Sequence, residues 1–183
     1  MKALPLSLGK MVSFVLALVS LLSLGACRAA ETPPVGSFVD PEPADYVRLQ
    51  PIVWEYFYNL KAAVIAGDIQ AFHSRYPALA SGEDPERGIN AEAQRVKSYL
   101  GFALIDGDVF PEYYQRFKIK PVDDEIHILT HGLELYAYRD AKGVISKSGG
   151  EFKIVLHLQP SAEGWEIAQT DEVTQAEWQD FPD

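Results

Sequence analysis

Three patterns of apolar and polar positions follow one another along the chain. The first is the run Met11 to Leu24, which carries no charge. Read as a helix, this run reaches about 21 Å, short of the roughly 30 Å of a bilayer core. It therefore predicts something other than a permanent membrane span. The second pattern is helical. In Ile52 to Ala66, the residues Val53, Phe57, Leu60 and Val64 recur at helical spacing and share one face, widened by Tyr56 and Ala63. Pro51 starts this helix or kinks it away from a turn near Tyr46 to Leu49. Gly67-Asp68 closes it and caps a short second helix, Ile69 to Tyr76, which ends before Pro77. Ser81 to Gly88 is a loop by composition. Asn90 caps a third helix from Ala91 to about Ala103, with Val96, Tyr99, Leu100 and Ala103 on its inner side, and Pro111 to Phe117 adds a further turn or two.

From Asp124 onward the period changes to two, the third pattern. Glu125 to Leu129 and Leu133 to Arg139 read as strands around a turn at Thr130-His131-Gly132, and Ala141 to Gly150 as a glycine-rich hairpin loop. Glu151 to Gln159 is a strand with Phe152, Ile154, Leu156 and Leu158 on one face and Lys153, Val155, His157 and Gln159 on the other. Ser161 to Gly164 turns into a last strand, Trp165 to Thr170. Helices first and antiparallel strands after predict an α+β fold, with the N-terminal helices packed on one face of the sheet.

Charge narrows the partners. The formal net charge is −10 at pH 7, and Lys2 and Lys10 are the only charges ahead of Cys27. A body this acidic is repelled by phosphate backbones and anionic headgroups, which excludes nucleic acid as the expected partner. The chain has one cysteine, Cys27, so the body's stability must come from its core, without disulfides or thiolate metal sites.

Lys2 and Lys10, the apolar run and the small residues behind it make the three parts of a secretory signal. The tetrapeptide Leu24-Gly25-Ala26-Cys27 resembles the lipobox of bacterial lipoproteins. That resemblance implies cleavage before Cys27 and acylation of its thiol. Two or more acyl chains make a stable anchor where one is marginal. The alternative is an ordinary signal peptide cut at Gly25 or Ala26. The chain thus divides into a signal at 1–26, a lipidated cysteine and proline-rich tether at 27–45, the α+β body at 46–175 and a C-terminal tail at 176–183. It is expected in the cell envelope, held to a bacterial membrane by lipid; inner and outer membrane are not distinguished.

Gly67-Asp68 followed by Phe72, the strand Leu133 to Arg139 behind Gly132, the strand Phe152 to Leu158 behind a loop at Gly143, and the hairpin Glu163-Gly164-Trp165 together resemble the nuclear-transport-factor-two-like superfamily. The resemblance spans roughly Val47 to Val173 and implies a cystatin-like cone, with helices lying in a strongly curved antiparallel sheet. Its isomerases and cyclases place Asp with Tyr or His inside the cone. Those residues have no one-to-one match here, the last strand ending Gln169-Thr170-Asp171. No catalytic residue is assigned.

The remaining candidates are aromatic and imidazole side chains. Trp54, Tyr58 and Tyr114 are placed at the mouth of the cone, where they would bind a small apolar or aromatic ligand. Tyr136 and Tyr138, on the face opposite Leu135 and Ala137, are candidates for a sheet-to-sheet homodimer surface. His127 and His131 have a spacing that suits a metal on a helix, but the local period is two and the turn at Gly132 makes them diverge, with His157 beside one of them across the sheet. Asp106-Gly107-Asp108 reads as a turn. No metal and no cofactor are expected. The expected function is a non-enzymatic envelope lipoprotein binding a small apolar ligand or an envelope protein. An isomerase, dehydratase or cyclase acting inside the cone is the first alternative, and a structural or inhibitory interaction module the second.

Overall fold

The computed structural model describes residues 37–82, 90–111, 117–162 and 164–173. Helix α1, Pro43–Ala66, buries Leu49, Val53, Tyr56, Phe57, Leu60, Ala63 and Val64, the stripe expected from the spacing continued back by one turn. It begins ahead of the boundary drawn at residue 46, because Pro43 sits in the first turn, where a missing amide hydrogen costs nothing. Pro51 lies inside this helix and neither starts nor ends it. Pro51 and Val47 both lie on the exposed side, where water can serve the carbonyl that the ring leaves unpaired. Upstream, Val39 pairs with Ile119 through two backbone hydrogen bonds of 2.9 and 2.8 Å.

Gly67 closes α1 in the left-handed conformation at φ 65°, and the Asp68 carboxylate accepts from the amides of Gln70 and Ala71 to start α2, Ile69–Arg75. A 3-10 turn, Pro77–Ser81, buries Leu79. Asn90 then caps α3, Ala91–Tyr99, accepting from the Ala93 amide at 2.8 Å. Its side-chain amide donates to the carbonyls of Leu79 and Gly82, which ties α3 to the 3-10 turn. The helix stops four residues short of Ala103, which already belongs to a strand.

Five strands follow: β1 Ala103–Pro111, β2 Phe117–Val122, β3 Glu125–Arg139, β4 Ile145–Ser161 and β5 Gly164–Val173. All neighbours are antiparallel, in the order β1-β3-β4-β5. Strand β2 also pairs with β3. It takes the half from Glu125 to Thr130, while β1 takes the half from Gly132 to Arg139. The helices pack on the concave side of this curved, unclosed sheet, on Ile128, Phe152, Ile154, Leu156, Leu158 and Ile167.

Three glycine-centred expectations are corrected. Thr130-His131-Gly132 is no turn but the middle of the continuous strand β3. A Cβ on Gly132 would come within 2.5 Å of the Phe110 carbonyl oxygen and of the Phe152 ring, so this glycine admits close neighbours. Asp106-Gly107-Asp108 is likewise strand, next to a bulge between Leu104 and Asp106, and a Cβ on Gly107 would meet the Tyr136 ring at 2.7 Å. The loop before β4 is shorter than expected, since Gly149 and Gly150 are already strand residues paired with Leu135 and Glu134.

Candidate functional site

Helix α3 turns an unexpected face to the sheet. Glu92 and Arg95 are buried with Ala91 and Val96, whereas Leu100, expected inside, is exposed. The cause lies on the opposing strands, whose inward positions are partly polar. The Glu92 carboxylate accepts from the Tyr56 hydroxyl at 2.7 Å and from the Thr170 hydroxyl at 2.5 Å. One turn on, the Arg95 guanidinium donates to Glu134 on β3 at 3.1 Å and to Glu172 on β5 at 2.6 Å. The Tyr136 hydroxyl faces Glu134 at 3.4 Å. Two carboxylates, Glu134 and Glu172, thus flank one guanidinium in a largely buried setting, at the edge of a cleft of about 430 Å³ lined by Arg95, Tyr99, Phe102, Glu134, Ser148 and Glu172.

Burial sets the electrostatics. It raises the Glu134 carboxyl above the ordinary carboxylate range; Arg95 opposes that rise and Glu172 adds to it. Burial also works against the charge on Arg95, but Glu134 and Glu172 outweigh it and hold the guanidinium more firmly protonated than usual. Burial, followed by the nearby carboxylates, pushes Tyr56, Tyr136 and Tyr99 upward. All three therefore stay phenols at neutral pH and can donate hydrogen bonds. The cleft offers carboxylate acceptors and aromatic faces, and its one cation already has two partners. Such a surface suits a ligand that brings a positive charge or hydrogen-bond donors beside an apolar part.

The residues singled out in the sequence lie mostly elsewhere. Trp54 and Tyr58 are 44% and 66% exposed on the outer flank of α1, and neither lines the cleft. Tyr114 and Cys27 lie outside the described residues. The expected sheet-face pair is corrected in one member: Tyr136 is fully buried, its ring 4.5 Å from that of Tyr99, so it has no surface to give a partner. It points inward because Glu134, Tyr136 and Tyr138 share the concave face and Leu135 and Ala137 the convex one. Tyr138 is half-buried, edge-on to Phe102 at 5.2 Å. His157 does lie beside His127 across the sheet, on the convex face. His131 lies on that same face rather than diverging from it, since β3 runs straight through Gly132. Glu92, Arg95, Glu134 and Glu172 were missed. Their one visible signal is the spacing of Glu92, Arg95 and Tyr99 on a single helical face.

A second cavity of about 570 Å³ lies at the rim between the 3-10 turn and the β4–β5 hairpin, lined by Ile52, Glu55, Arg75, Tyr76, Trp165 and Glu166 among others. The Arg75 guanidinium is paired there with Glu55. Among the described residues no helix is long and apolar enough to cross a membrane.

The sequence matches no family model and no curated protein. Among solved structures, the intermembrane-space region of the chloroplast protein ARC6 covers 74% of this chain and all (100%) of its own at 13% identity and a TM-score of 0.41. Aln2 from a Streptomyces species covers 74% of this chain and 94% of its own at 13% identity and a TM-score of 0.46. A candidate dehydratase of the nuclear-transport-factor-two-like family from Streptomyces avermitilis covers 72% and 99% at 12% identity and a TM-score of 0.42. Likenesses of this size carry no argument about what the chain does. The α+β architecture, helices in a curved antiparallel sheet, stands on the strand pairing itself.

Proposed function

We propose that the chain is an exported lipoprotein, acylated at Cys27, whose concave cleft binds a small molecule carrying a cationic or hydrogen-bond-donating group next to an apolar part. The observation that supports binding is the open cleft of about 430 Å³, where Glu134 and Glu172 stand beside the rings of Tyr99 and Phe102. Three ring probes of one size test it: benzylamine, benzyl alcohol and benzoate, followed by chemical-shift mapping on the labelled protein. The expected order of binding is amine, alcohol, benzoate, with shifts at Tyr99, Phe102 and Ser148. Glu172→Gln should reduce the preference for the amine. Equal or absent shifts at the cleft for all three would refute the binding role. The anchor is tested separately by growing cells on labelled palmitate, with Cys27→Ser expected to lose the label.

A second reading, an acid–base enzyme of the isomerase or dehydratase type, is favoured by one specific observation. Glu134 is a largely buried carboxyl with a raised pKa, 3.4 Å from the Tyr136 hydroxyl. A carboxyl in that state can exchange a proton with a bound substrate while a phenol donates to a developing enolate. Cyclic enones incubated with the protein in heavy water would reveal it as deuterium incorporation beside the carbonyl, lost in Glu134→Gln. No incorporation above buffer would end this reading.

A further inference from the structure

The convex face of the sheet carries a cluster that the cleft does not use. His127 on β3 and His157 on β4 are direct cross-strand partners, their rings 3.9 Å apart and tilted by 34°. Glu125, two residues before His127 and so on the same face, places its carboxylate 3.0 Å from His127 Nε2. Asp171 on β5 lies 2.6 Å from His157 Nε2 and accepts from the Gln169 amide at 2.7 Å. We propose that Glu125, His127 and His157 form a binding site for a divalent transition-metal ion of the zinc class, with Asp171 as a fourth ligand or as the carboxylate that orients His157.

Geometry and chemistry support this together. Each of the three residues offers a ligand atom, and these atoms lie within 4.8 Å of one another. Ligand atoms of a tetrahedral zinc shell stand about 3.4 Å apart for bonds of ~2.1 Å. Small side-chain rotations close that gap, and Glu125 can supply the largest of them. It sits at the first position of β3, directly behind the turn at Asp123-Asp124. A carboxylate on a metal-binding histidine is the usual arrangement that fixes the ring for coordination. The strands set the register of both histidines, so the positions of the two nitrogen ligands are built before the ion arrives.

The donor set also decides which ion. Two imidazoles with one or two carboxylates suit zinc, and likewise cobalt(II) and nickel(II), whereas calcium and magnesium require shells of oxygen. The site would clip β3, β4 and β5 together on the side that the helices leave uncovered.

The test uses the full-length chain in detergent, stripped with a chelator and titrated with zinc by calorimetry and with cobalt(II) by visible absorption. The expected result is one ion per chain at micromolar affinity, with the intense d–d bands of a four-coordinate cobalt site, and no response to calcium or magnesium. His127→Ala and His157→Ala should each abolish this binding. Asp171→Asn should weaken it roughly tenfold or more, as loss of an orienting carboxylate does. His131→Ala and Cys27→Ser should leave it unchanged. Circular dichroism confirms that each variant is folded, and His157→Asn replaces His157→Ala if the alanine form is not. Absence of zinc binding up to millimolar concentration overturns the site. So does zinc binding that survives both histidine substitutions, or an equal response to calcium.

Discussion

The two faces of strands β3 to β5 carry two polar clusters built on opposite principles. Inside, Glu134 and Glu172 share the buried Arg95 guanidinium, and the buried Glu92 carboxylate beside it is held by hydroxyl donors. Outside, each imidazole has its own carboxylate, and all four side chains keep partial contact with solvent. The same strands supply both because successive side chains alternate between faces: Glu134 and Tyr136 point one way, His127 and Leu129 the other. The inner cluster is therefore held by desolvated charge and is costly to disturb. The outer one is held by local geometry, with water ready to replace any partner that is lost.

The largest expected effect tests that difference directly. Arg95→Met keeps the apolar stem but leaves Glu134 buried without its cation, which should cost about 3–5 kcal/mol of folding stability. Urea unfolding measures it, and the double variant Arg95→Met/Glu134→Gln should recover part of the loss. His157→Asn on the outer face should cost only about 1 kcal/mol or less, the range of solvated pairs. Equal losses at the two sites would remove the contrast. Tyr56→Phe comes next. It takes one of two donors from the buried Glu92 carboxylate and should cost about 1.5–3 kcal/mol, read from the same unfolding curves.

That contrast also explains what the sequence revealed and what it hid. Strand β4 was legible from Phe152 to Leu158 because its alternation puts Phe152, Ile154, Leu156 and Leu158 on the face that meets the helices. The α1 stripe was legible for the same reason at helical period. The inner cluster was not, because hydrophobic periodicity assigns Glu92 and Arg95 to solvent. Their burial depends on Tyr56, Thr170, Glu134 and Glu172, which lie 36 to 78 residues away in the chain. Gly132 misled for a related reason. A glycine beside threonine and histidine reads as a turn, while its role here comes from the Phe110 carbonyl and the Phe152 ring, both distant in sequence. Period was thus informative wherever local pattern decides burial, and silent wherever a remote partner does.

The smallest expected effect concerns acidity, and the two faces should answer with opposite sign. Glu134 is raised above its ordinary 4.5, mainly by burial, against the pull of Arg95 and with the push of Glu172. Above pH 4.5 the folded state then holds this proton more tightly than the unfolded state. Its contribution is present in acid and is lost as pH rises through the folded pKa. On the outer face, His127 is lowered below its ordinary 6.5, first by burial and then by His157 and Lys120, with Glu125 opposing. There the unfolded state binds the proton more tightly, so stability falls as pH drops below 6.5 toward the folded pKa. Asp171 acts in the same direction lower down. The hydrogen bonds from His157 and Gln169 outweigh its burial and hold it below 3.8, so its contribution is lost as pH falls through that lowered value. Stability measured against pH with a chelator present separates the two. Glu134→Gln should flatten the decline on the alkaline side, and His127→Gln the decline on the acid side between its folded pKa and 6.5. A single variant that flattened both limbs would mean that the clusters titrate as one unit through the sheet, and the division between its faces would fail.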